Sequence, residues 1–78
     1  MTTFDHLIAV AKARGVQMPP DLDNFGYGDA PLFHTLWLAV WGLDLTNEQV
    51  EQIVDYAIKQ PSTDCEISVI EFAVSLLG

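Results

Sequence analysis

Positive charge is scarce in this chain. Three of its 78 residues are Lys or Arg, against eleven Asp or Glu, for a formal charge of −8. Lys12 and Arg14 lie near the start. From Gly15 to Gly78 ten acidic residues meet one cation, Lys59, which leaves −9 over that stretch. Such a surface repels phosphate, which argues against direct binding to DNA, RNA or an anionic membrane and favours a basic protein surface as partner. Cysteine is nearly absent as well. A single thiol, Cys65, excludes an internal disulfide and a Cys-rich zinc site. Long apolar runs are missing: the longest, Leu36 to Leu43, falls far short of the roughly 20 residues of a membrane span. Met1-Thr2-Thr3-Phe4-Asp5 lacks a basic leader, and no small-residue cleavage site follows an apolar run. The expectation is a soluble protein of the cytoplasm.

What the chain does have is grease. Half of its residues are apolar, which separates it from disordered chains of similar charge. At this length the reading is one small acidic domain, residues 1–78, stabilised by packing and open to homo-oligomerisation.

Apolar residues recur at helical spacing in four stretches. The first runs from about Thr3 to Arg14, with Phe4, Leu7, Ile8 and Ala11 on one face. Thr2 or Thr3 caps its start, and Gly15 followed by Val16 closes it. An irregular segment, Val16 to Asp29, carries Pro19-Pro20 and enough apolar residues to be held down by its own side chains. The second helix is expected from Asp29 as cap, with Pro31 in its first turn, to about Trp41, with Gly42 behind it. It is apolar nearly all round, as suits the central helix of a domain. The third opens on a capping box, Thr46-Asn47-Glu48-Gln49, with Leu45 and Val50 as staple. It buries Val50, Ile53, Val54, Ala57 and Ile58 and stops before Pro61. The fourth has two candidate starts, Thr63 and Ser68, of which Ser68 is preferred. Ile70, Ala73, Val74 and Leu77 are its expected core face. The fold class is therefore all-α: a small single-domain four-helix fold of two helix–Pro loop–helix units packed at steep angles.

Residues Gln60 to Phe72 resemble the second half of an EF-hand calcium loop. Ile67 matches its central apolar position, Ser68 the ninth and Glu71 the twelfth. Gln60, Ser62, Asp64 and Cys65 then occupy positions 1, 3, 5 and 6, where such a loop needs oxygen ligands and a glycine. Two carboxylates and no glycine make a poor cage, so the resemblance implies a degenerate helix pair rather than calcium binding. Asp21, Asp23, Asn24 and Asp29 suggest a second cation loop, but the same frame puts Phe25 and Leu32 at ligand positions, and turn chemistry explains these residues equally well. His6 and His34 lack companion ligands at metal spacing. Cys65 has no adjacent cation to activate it. No catalytic residue, cofactor or metal is expected, and the chain does not read as an enzyme.

Two surfaces are candidates for binding a protein. Trp37 and Trp41, four apart, share a helix edge and serve either the core or a partner patch; Phe25 and Tyr27 in the loop extend the aromatic set. Asp44, Glu48, Glu51 and Asp55 form an acidic strip along the third helix. Its charges rise about 4.5–6 Å apiece, sparser than the phosphates of one DNA strand at about 3.4 Å but of the same order. The leading expectation is a non-enzymatic adaptor or inhibitor that occludes a basic surface. The alternative is an anionic decoy that blocks a nucleic-acid-binding enzyme. In size and charge alone the chain is similar to small acidic phage proteins that block restriction or CRISPR machinery.

Overall fold

A computed structural model describes residues 3–26, 28–60 and 66–78, Glu66 by its backbone only. It contains four helices, α1 (Thr3–Ala13), α2 (Pro31–Val40), α3 (Asn47–Ile58) and α4 (Glu66–Ser75). No strand occurs among the described residues.

Each boundary has a local cause. Gly15 takes the left-handed conformation, φ 76°. There its N–H donates to the Lys12 carbonyl at 3.2 Å, and Val16 N–H reaches the Ala11 carbonyl at 2.9 Å. This pair of bonds is a Schellman stop, with Val16 and Ala11 both buried at its apolar contact position. After α2 the chain turns differently: Trp41 at φ −57°, ψ 123° and Gly42 at φ 72° form the two central residues of a type II turn, closed by Leu43 N–H to the Val40 carbonyl at 3.1 Å. The capping box of α3 is complete: Thr46 Oγ1 accepts from Gln49 N–H at 3.2 Å, and Gln49 Oε1 accepts from Thr46 N–H at 2.9 Å. The side-chain Nε2 of Gln49 donates to the Leu76 carbonyl at 3.3 Å, so one side chain ties the start of α3 to the end of α4.

Three sequence expectations need correction here. Ala30, not Asp29, is the cap of α2, and it supplies no side-chain bond. Asp29 instead folds back onto its loop, where its carboxylate accepts from Gly26 N–H at 3.0 Å. Thr3 lies inside α1, and its hydroxyl accepts from Leu45 N–H at 3.2 Å rather than from its own first turn. Ser68 does not cap α4, which is already helical at Glu66. Thr2 and Thr63, the other cap candidates, lie outside the described residues.

The core draws on all four helices. Leu7, Phe33, Leu36, Val50, Ile53, Val54 and Val69 have no exposed surface; each such burial is worth about 1.5–3 kcal/mol relative to exposure. Helices α2 and α3 each touch the other three, while α1 and α4 do not meet. Tyr56 of α3 and Phe72 of α4 stack with centroids 4.3 Å apart and planes parallel to 1°. Val16 and Pro19 are buried, and Met18 and Phe25 pack on the core, so the long loop is indeed pinned by its own side chains. Ile58, Val74 and Leu77, expected inside, are exposed. Ile58 is the last residue of α3. Helix α4 turns a different stripe inward: Val69 and Ala73 are buried, with Phe72 and Leu76 packed beside them. Thr35 is the one buried polar side chain among the described residues, so every described carboxylate lies at or near the surface.

Candidate functional site

The acidic strip is not uniform. Glu48 and Asp44 are exposed, Glu51 and Asp55 half-buried. Arg14, delivered by the closing turn of α1, lies across the middle of α3. Its Nε donates to Asp55 at 2.9 Å, and its terminal nitrogen sits 3.6 Å from Glu51. The hydrogen bond from Arg14 holds the Asp55 carboxyl below its ordinary range; desolvation opposes this, and the charges of Arg14 and then Lys59 add to it. The hydrogen bond and charge of Asp55 in turn raise the Arg14 guanidinium. Half of the strip is thus compensated from within the chain. Asp44 and Glu48 carry no ion pair among the described residues.

The two tryptophans part company. Trp37 is half-buried and packs on the core. Trp41 is 66% exposed. They touch edge to face, with centroids 4.6 Å apart. The cause is the end of α2: Trp41 leaves the helical conformation at φ −57°, ψ 123°, and Gly42 turns the chain away. Phe25 belongs with the core side. Its ring lies 5.5 Å from both Phe33 and Trp37 and 5.9 Å from His34, so it anchors the loop rather than presenting a free patch. Tyr27 lies outside the described residues.

Beside Trp41 is an open groove of about 750 Å³. Its walls come from parts distant in sequence: Thr3 and Phe4 of α1, Leu22 and Asp23 of the loop, Trp37 and Val40 of α2, and the Trp41–Asp44 turn. The bond from Leu45 N–H to Thr3 holds α1 against that turn. Phe4 and Leu43 read as core in the sequence, and Asp23 as a turn residue, so no linear signal joined them to Trp41. The groove puts Asp44 from the acidic strip and Trp41 from the aromatic set on one surface.

A second exposed feature was missed because α4 is apolar on two sides. Ile67, Val74 and Leu77 are 72%, 55% and 47% exposed, and with half-buried Ile70 they form an outward stripe. Ile67 therefore does not fill the buried central position of an EF-hand frame, and Ser68 and Glu71 lie within α4; Ser62, Asp64 and Cys65 lie outside the described residues. In the other loop Asp21 spends its carboxylate on Asp23 N–H at 2.9 Å, an Asx turn. Among the described residues no three His, Cys, Asp or Glu side chains gather as metal ligands. Among the described residues no helix is long and apolar enough to cross a membrane.

No protein-family model matches the chain, and no curated protein or solved structure is measurably similar to it.

Proposed function

We propose that this chain is a non-enzymatic protein-binding module that docks on a basic surface of a partner and acts as an adaptor or inhibitor by covering it. The observation that carries the reading is Trp41: a large aromatic residue 66% exposed beside an open groove in a chain of charge −8. Tryptophan dominates the energetics of protein interfaces when a partner buries it. Asp44, which lines the groove, and Glu48 at the start of α3, both without an ion pair among the described residues, supply the field that steers a basic surface to it.

The nucleic-acid decoy draws its affinity from a row of charges instead. Arg14 interrupts that row at Glu51 and Asp55, which is the observation that ranks docking first. The two differ in what breaks them. With the protein immobilised and exposed to a lysate of cells that express it, a basic protein should be retained by the wild type. It should be lost from Trp41→Ala and from the Asp44→Lys/Glu48→Lys double variant. Retention of the same proteins by all three contradicts docking at this surface. Retention by Trp41→Ala, with loss on charge reversal and competition by DNA, is the outcome of the decoy.

A further inference from the structure

We propose that the groove at the end of α2 seats an arginine side chain of the partner, its guanidinium against the Trp41 ring and between the carboxylates of Asp23 and Asp44. The inference rests on the docking reading and names the chemical group that reading leaves open.

Three sources of negative potential meet in this groove. Asp23 and Asp44 reach it from two separate loops. The last turn of α2 borders it through Trp37 and Val40 and carries no basic residue; the dipole of a helix favours a cation at that end. The exposed face of an indole is the best aromatic partner for a cation. Against these stands no positive charge of the chain's own. None of Lys12, Arg14 and Lys59 lines the groove, and Arg14 is engaged by Glu51 and Asp55.

A second copy of this chain is a poor occupant, because it brings another −8 to an already negative surface. An anionic ligand is repelled for the same reason. Arginine fits better than lysine. Its planar guanidinium stacks on an aromatic face, holds its water less tightly, and offers donors in two directions to two carboxylates. Leu22, Val40 and Leu43 line the remaining surface, which suits the aliphatic stem and apolar neighbours. A volume of about 750 Å³ lies within the roughly 300–1,000 Å³ of sites for drug-sized ligands, so the groove holds an arginine with its flanking residues rather than a lone ion.

The test uses three end-blocked pentapeptides of sequence Ala-Leu-Xaa-Leu-Ala, with arginine, lysine or citrulline at Xaa. Each is titrated into the full chain, and the indole N–H signal of Trp41 is followed by NMR. The arginine peptide should move that signal and bind about tenfold more tightly than the citrulline peptide, its neutral isostere, with lysine between. Asp23→Asn/Asp44→Asn should bring arginine down to the level of citrulline, and Trp41→Ala, followed through the indole N–H signal of Trp37 instead, should show no binding. Equal affinity for arginine and citrulline, a response on the α3 face in place of Trp41, or no response to any peptide overturns the inference. The docking reading fails on a different result: retention of the same lysate proteins by wild type and Trp41→Ala.

Discussion

Two acidic regions of the described residues differ in one respect: a cation of the chain closes the first and leaves the second open. On the middle of α3 the carboxylates of Glu51 and Asp55 close on Arg14. Around the end of α2, Asp23 and Asp44 line a groove that none of the chain's three cations reaches. A net charge of −8 describes both regions equally and distinguishes neither. What separates them is where the few cations were placed. A carboxylate already paired within the chain offers little to a partner, because docking must first break its existing bond. An uncompensated carboxylate beside exposed aromatic surface offers both steering and short-range contact.

The sharpest way to probe the contrast is through the two tryptophans. Trp37→Ala removes a ring packed on the core and should cost about 3 kcal/mol, at the lower end of the range for deleting a large aromatic. Trp41→Ala, at 66% exposure, should stay within about 0.5 kcal/mol of wild type. Urea unfolding of both variants checks the difference. Similar losses in the two would mean that Trp41 is a core residue.

A smaller effect tests the closed region. Arg14→Ala should return the Asp55 carboxyl upward toward its ordinary range, read by NMR titration of its side-chain carbon. Because Asp55 has a lowered pKa in the folded chain, the stability it contributes is present above the unfolded value and is lost as pH falls through the folded one. The variant should lack that loss between the two values. An unchanged Asp55 titration would show that Arg14 does not compensate the strip in solution.

Much of the fold was legible in sequence, and the reasons are local. The capping box at Thr46 and Gln49 and the stop at Gly15–Val16 depend on bonds between residues a few positions apart, so their pattern survives in the linear chain. Helix α3 was nearly unambiguous, because its apolar residues fall on one face and its acids on the other; only Ile58, at its end, turned out exposed. Helix α4 was not, because two apolar stripes compete. Val69, Phe72, Ala73 and Leu76 face inward, while Ile67, Val74 and Leu77 face out. Periodicity names stripes but does not choose between them; tertiary packing on α2 and α3 makes the choice. The same limit applied at the groove. Trp41 and Asp44 were singled out as residues, but the surface that unites them with Asp23 and Leu22 depends on α1, a loop and α2 meeting at one end of the molecule. Phe25 went the other way, since its contacts with Phe33 and Trp37 make it an anchor for the loop.

The central claim is that Trp41 stands exposed in a negative groove of the free protein. Collisional quenching measures this directly in the Trp37→Phe variant, where Trp41 is the sole tryptophan. Relative to N-acetyl-tryptophanamide, caesium should quench its fluorescence more effectively than iodide, and Asp23→Asn/Asp44→Asn should narrow the gap. Quenching by iodide as strong as by caesium on that scale, or an indole shielded from both, would contradict the account.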